Sequence, residues 1–316
     1  MKEILQNNKL YIIGFFIAFE ILNIYNFINL KMPPQVFELF TFDENFYNHL
    51  IWHSIRLILC LPPILLSLIT NLTYNESFSY YSFIILICIL WEINNILSLL
   101  ITKSSNIFRK LFSILFLLIL VTNMNGRLLI PYLGYLILIN EFFCYQTSKS
   151  IHSNYIIIGL ILTMMSTGTF GVGLIYVVLM LFFSNKLRTF ILGLSSTEKV
   201  IVICIFIYFF IMLKKIIDYY TSEGDLLYVL THGLGYFMYG NNLVNILLIV
   251  FCILFLNYFI ITRYLYDKKL PLILAVLIPC WCSVFGYSAA TMLICPLFIL
   301  ITLYILVLKE RIIQCH

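Results

Sequence analysis

The sequence predicts an all-α fold, a polytopic bundle of transmembrane helices with roughly ten or eleven crossings. Three observations predict it. The chain of 316 residues is 62% hydrophobic and only 10% charged. Its mean hydropathy is +1.03. Its apolar runs recur from end to end, and many approach the roughly 20 residues that a helix needs to cross the hydrocarbon core. A soluble domain needs more polar surface than this. One integral membrane domain covering 1–316 is expected, with an extracytoplasmic loop at 217–242.

The first span, 10–31, starts near Tyr11. It is too long and too aromatic for a cleaved signal peptide, so it reads as a retained helix. The second, 50–70, carries Pro62-Pro63 at its centre, and two missing N–H donors predict a kink or a re-entrant segment. Spans at 79–101 and 108–124 follow. The fifth, 127–146, has Pro131 near its start, which suits a first helical turn and puts Arg127 close to a helix N-terminus. The apolar run 154–185 is long enough for two short spans, 154–169 and 171–185, broken at Ser166-Thr-Gly-Thr-Phe-Gly171. Spans at 198–216, 243–262, 270–285 and 287–308 complete the set.

Basic residues set the orientation, because they accumulate on the cytoplasmic side. Four connections are basic: Lys103 with Arg109 and Lys110; Lys149; Lys186 with Arg188 and Lys199; and Arg263 with Lys268 and Lys269. Lys309 and Arg311 near the C-terminus agree. The alternate connections then face outward: Asn71–Ser77, Arg127, the 166–171 break, the 217–242 loop and the turn near Phe285-Gly286. Lys2 and Lys9 favour an inside N-terminus, while strict alternation puts it outside. A re-entrant segment at Pro62-Pro63 would reconcile the two. The outward loop 32–49 holds Glu38, Asp43 and Glu44.

Arg127 is the leading candidate for chemistry. A guanidinium at a membrane boundary needs water or an anion, and its fork suits phosphate. The plainer reading is an arginine that snorkels at a helix end. The 217–242 loop joins Asp218, Glu223, Asp225 and His232 to Lys214 and Lys215 at its edge. Transfer to a sugar hydroxyl needs a base or an orienting group, which Glu223, Asp225 or His232 could supply. It also needs positive charge against a leaving pyrophosphate, which Arg127, Lys214 or Lys215 could supply. Tyr228, Tyr236 and Tyr239 could stack on sugar rings or sit as interfacial tyrosines. The loop also reads simply as a solvated segment with ordinary charges. Thr167 and Thr169, in the Ser/Thr-Gly break, could line a polar cavity or satisfy freed backbone groups. Glu20, Glu92 and Glu141 are carboxylates within apolar runs. Such groups face a bundle interior with a partner, as ion sites or as hydrogen-bond hubs.

Other classes find little support. The net charge of +5 follows from the inside-positive loops, and nothing suggests nucleic acid. The nine cysteines lie mostly in apolar runs, as small apolar side chains. Cys280 and Cys282 flank Trp281 with no second pair nearby, and His53 and Arg56 share a helix face without making a metal motif. There is no HExxH, Walker loop or dinucleotide fingerprint, so no metal or cofactor is expected.

Arg127-Leu-Leu-Ile-Pro131-Tyr-Leu-Gly134 and Leu162-Thr-Met-Met-Ser166-Thr167-Gly168-Thr169, followed by a late outward loop and closing helices, form a pattern. It resembles the Wzy-type O-antigen and capsular polysaccharide polymerases and, more distantly, the O-antigen ligases. The similarity is diffuse and covers roughly residues 105–308. It implies a helical glycosyltransferase fold of the C type (GT-C-like) in the bacterial inner membrane. It implies metal-independent transfer of a saccharide from an undecaprenyl-pyrophosphate carrier to an acceptor sugar hydroxyl on the periplasmic face. It also implies Arg127 as a pyrophosphate ligand, and the lipid bilayer and a chain-length regulator protein as partners. The chain departs from the family in lacking an arginine in the 217–242 loop, and its N-terminal third matches poorly.

A second resemblance rests on Leu213-Lys-Lys-Ile-Ile-Asp218, Gly224-Asp-Leu-Leu-Tyr228 and the run from Phe285 to Leu293. These are similar to the helical membrane domain of vitamin K-dependent carboxylase-like proteins, which implies a non-catalytic or maturation role. The extra spans at 154–185 count against it. A polysaccharide or small-solute transporter, resting on Glu92 and Glu141, is a third reading. It would need a half-to-half repeat, and none is visible.

Overall fold

The computed structural model describes residues 9–24, 30–33, 36, 46–100, 126–148, 151–183 and 187–223, with positions 111, 113, 114, 117, 118, 254 and 258. All regular structure among them is helical. The helices are α1 (Lys9–Ile24), α2 (Phe46–Thr70), α3 (Tyr74–Leu100), α4 (Gly126–Ser148), α5 (Ser153–Thr163), α6 (Thr167–Phe183), α7 (Leu187–Gly193) and α8 (Ser196–Glu223). The expected spans 243–262, 270–285 and 287–308, and most of 108–124, lie outside the described residues. By length and composition, one described stretch is long and apolar enough to cross a membrane: Tyr74–Ile96, 23 residues with a hydropathy of 1.4. Ser54–Thr70, Leu128–Cys144, Ser153–Thr163 and Thr169–Phe182 are apolar but shorter. The chain divides into two compact units, Met1–Ser166 and Thr167–His316.

In the first unit, α2 packs on α3, α3 on α4, and α4 on α5. α1 joins α3 through rings: Phe83 stacks on Phe15 (centroids 5.9 Å) and meets Phe16 edge-on at 5.3 Å. α4 is the central element. Every residue from Leu128 to Leu136 is buried, as expected of a helix that is apolar on all sides. α4 and α5 approach closely through glycine. A Cβ on Gly134 would lie 2.6 Å from the Gly159 carbonyl oxygen and 2.7 Å from the Leu162 Cβ. Only a missing side chain allows backbones this near, the device by which apolar helices gain packing without a hydrophobic driving force.

Local sequence sets the helix ends. α2 stops at Thr70, and Asn71 takes φ 56°, the left-handed conformation that asparagine tolerates after a helix. α3 then begins with a capping box. The Thr73 N–H donates to Glu76 Oε2 at 2.8 Å, and the Glu76 N–H donates back to Thr73 Oγ1 at 3.3 Å. Ser195 and Glu198 repeat the device ahead of α8, at 2.8 and 3.3 Å.

The structure corrects four expectations. α2 is one helix from Phe46 to Thr70, with Pro62 and Pro63 inside it, so no re-entrant turn forms. Pro63 has no N–H for the carbonyl of Leu59, four residues back. The Tyr81 hydroxyl, from α3, donates to that carbonyl at 3.1 Å. The break in the 154–185 run falls at Met164–Ser166, ahead of the expected 166–171, so Thr167 to Thr169 open α6. Pro131 is not in the first turn of its helix: α4 starts at Gly126, five residues earlier. α8 runs through Glu223, so 217–223 is helix and not loop. Ile216, Ile217, Tyr219 and Tyr220 extend the helical run, and the first glycine comes only at 224.

In the second unit, α6 packs on α7, and Phe170 meets Tyr208 and Phe209 of α8 edge-on at 5.6 and 5.9 Å. α8 buries Ile205 and Tyr208 but exposes Val200, Ile203, Phe206, Ile207 and Phe210.

Candidate functional site

Three segments meet at one end of the first unit. The Met32 N–H donates to Asn75 Oδ1 at 3.3 Å, which ties residues 30–33 to the first turn of α3. A Cβ on Gly126 would collide with the Lys31 carbonyl oxygen and would lie 2.6 Å from the Phe78 ring. The start of α4 is therefore pressed against both. Beneath this meeting point lies a cluster of Met32, Val36, Cys60, Ile64, Phe78, Ile130 and Met165. The charge pattern placed Asn71–Ser77 and Arg127 on one side, and in the fold Gly126, next to Arg127, lies against Phe78 near the start of α3.

The α5–α6 break borders the same cluster, and its backbone groups can be traced. The last carbonyls of an α-helix have no partner within it. Here the Thr163 hydroxyl donates to the Leu160 carbonyl at 2.7 Å. The N–H groups of Met164, Met165 and Ser166 donate to the carbonyls of Ile161, Leu162 and Thr163 at 3.1, 3.5 and 3.3 Å. This is a turn tightened to three-residue spacing. The Met165 carbonyl receives Arg56 Nε at 3.0 Å. The Arg56 side chain is only 5% exposed. A cation beyond the C-terminal end of α5 also meets the negative end of the helix dipole.

Farther along α3 and α4 sits a second polar group. Asn140 Nδ2 donates to Glu92 Oε2 at 2.6 Å. Glu141 is buried, and its Oε1 accepts the His152 backbone N–H at 2.6 Å and lies 3.1 Å from His152 Nδ1. His152 is the N-cap of α5 and makes no side-chain cap itself; Glu141, from the neighbouring helix, instead accepts the N–H of the N-cap residue, near the positive end of α5. Of the three carboxylates within apolar runs, Glu92 and Glu141 thus have hydrogen-bond partners from a neighbouring element.

The predicted site residues distribute as follows. Arg127 is the second residue of α4, in the first unit; its backbone is described and its side chain lies outside the description. The second unit holds Thr167 and Thr169 in the first turn of α6, and Lys214, Lys215 and Glu223 on α8. Thr169 is fully buried and Lys214 is exposed. The side chains of Thr167, Lys215 and Glu223 lie outside the description. Asp225, His232 and Tyr236 lie outside the described residues altogether. Among the described residues no group of three or more His, Cys, Asp or Glu is placed to hold a metal ion.

Two features escaped the sequence reading. Arg56 was seen only as sharing a face with His53. Its signal was a lone guanidinium in an apolar run, which requires a buried acceptor. The capping boxes at Thr73–Glu76 and Ser195–Glu198 were also missed, although Ser/Thr-x-x-Glu before an apolar run marks a helix start.

No protein-family model, curated protein or solved structure matches the chain.

Proposed function

We propose that this is a multi-pass membrane glycan polymerase of the bacterial inner membrane. It moves a saccharide from an undecaprenyl-pyrophosphate carrier to an acceptor sugar hydroxyl on the periplasmic face. One observation carries the reading. Arg127 lies in the first turn of α4, at the end of the unit where residues 30–33 and the capped start of α3 converge. A helix start offers N–H donors to an anion, and an arginine there adds a fork for phosphate oxygens. The membrane setting is supported by the composition and by the exposed apolar face of α2, which shows Ile58, Leu61, Leu65, Leu68 and Ile69.

In the reaction, the acceptor hydroxyl oxygen attacks the anomeric carbon of the carrier-linked sugar. The bond from that carbon to the pyrophosphate oxygen breaks, and the electron pair leaves with the pyrophosphate. Arg127 meets the growing negative charge. Glu223, Asp225 or His232 takes the hydroxyl proton. Thr167 and Tyr236 are the proposed sugar contacts; Thr169 is fully buried and is not one of them.

Arg127→Ala tests this directly. Cells carrying it should accumulate single repeat units on the lipid carrier and make no polymer, read as the loss of the banding ladder on a gel. Normal-length polymer from a mutant present at wild-type level would defeat the assignment.

A further inference from the structure

α1 and α3 flank a partly open cavity that the proposed reaction does not use. Its volume is about 240 Å³, and its lining includes Phe16, Phe19, Tyr80, Phe83, Glu20 and Glu76. Glu20 is the only charged residue of α1 after Lys9, and it is partly buried. A carboxylate in an apolar helix is expensive unless something compensates its charge. Among the described residues Glu20 makes no hydrogen bond or ion pair. Glu76 adds a second negative charge, and its Oε2 is already held by the Thr73 N–H and hydroxyl at 2.8 and 2.7 Å. The remaining wall is largely aromatic. Phe83 is fixed by Phe15, Phe16 and Phe19, with centroids 5.9, 5.3 and 5.7 Å away.

We propose that the cavity between α1 and α3 binds an organic ammonium group, held by Glu20 and the faces of the surrounding rings. The chemistry selects this class. Aromatic faces attract cations, most strongly where water is excluded, and a carboxylate supplies the counter-charge. A divalent metal would want six or more oxygens, and the lining offers two carboxylates, one of them engaged in a helix cap. Among the described lining residues, an anion or a neutral sugar would meet two carboxylates and no cation. The ammonium could belong to a lipid headgroup or to a free amine. The cavity lies at the first turns of α3, where a headgroup would sit if that helix crosses a bilayer. This inference does not depend on the polymerase reading.

The test uses the full chain in nanodiscs of phosphatidylglycerol alone, titrated calorimetrically with tetramethylammonium and with ethylamine. Saturable binding at one site per chain is expected. Glu20→Gln should weaken it by about tenfold, through loss of the counter-charge at close range. Phe83→Leu should weaken it by about fivefold, through loss of a cation–π face. Repeating the titration with phosphatidylethanolamine in the disc assigns the source. A fall in apparent affinity identifies a lipid headgroup, and an unchanged affinity identifies a free amine. Absence of saturable binding by the wild-type chain overturns the proposal. So does wild-type affinity in Phe83→Leu, which decides the matter even if Glu20→Gln fails to fold. Failure here leaves the Arg127→Ala result untouched, because that experiment reads polymer and this one reads amine binding.

Discussion

The helix with two prolines is continuous, and the helical run with none is broken. α2 passes through Pro62-Pro63 without interruption, while the chain between α5 and α6 gives way at Met164–Ser166. Proline content alone would have ranked them the other way. The difference lies in where freed carbonyls find donors. In α2, the Leu59 carbonyl that Pro63 cannot serve receives the Tyr81 hydroxyl. At the break, the tightened turn takes three carbonyls, the Thr163 hydroxyl a fourth, and Arg56 takes Met165. An apolar surrounding makes each unsatisfied carbonyl costly, so donors from neighbouring helices stabilise both the continuous helix and the broken one.

Three substitutions would break or sharpen that contrast. The largest effect is expected from Arg56→Met, which keeps the apolar stem and removes the donor to Met165. A buried bond from a charged donor is worth about 2–3 kcal/mol, and that loss should appear in denaturant titration of the detergent-solubilised chain. Faster hydrogen exchange at residues 164–167 should accompany it. A wild-type midpoint with unchanged exchange would mean that Arg56 does not stabilise the break. Gly134→Ala comes next. Its methyl group would press on the Gly159 backbone, push α5 away from α4, and cost about 2 kcal/mol as overpacking. Equal stability of variant and parent would show that the two helices are not in close contact. The smallest effect is expected from Tyr81→Phe, at about 1 kcal/mol, because it removes one neutral hydrogen bond and leaves the ring. Exchange should quicken around Pro63 and nowhere near Met164. Destabilisation spread evenly along α2 would contradict a local repair.

Some of this was legible in the sequence. Apolar runs located α1 to α6 and α8, and most ends agree within a few residues, because helix existence is a local property of composition and periodicity. The seven-residue helix α7 carries no run long enough to announce itself. Where the long apolar run breaks was not legible. The sequence shows the element Ser166-Thr-Gly-Thr, but the break falls at Met164–Ser166, where the Met165 carbonyl meets an arginine 109 positions away in the chain. Tyr81 and Leu59 are similarly distant partners that no local window joins. The candidate site divides along the same line. Pro131 was the signal for a helix start near Arg127, yet it lies five residues into α4, so the signal named the right helix and the wrong turn. The pairing of Glu92 with Asn140, and of Glu141 with His152, depends on which helices lie side by side. From the sequence alone the two carboxylates read equally as ion sites or as hydrogen-bond hubs, and only the fold supplies their partners.

The crowding at Gly126 fixes one position of the chain for good. Position 126 admits hydrogen alone as its side chain, because the Lys31 carbonyl fills the space where a methyl group would go. It therefore answers for assembly: any larger side chain there pries the 30–33 strap from the helix it abuts, whatever charge it brings. A lineage that keeps this junction keeps its glycine, however freely the rest of the helix drifts.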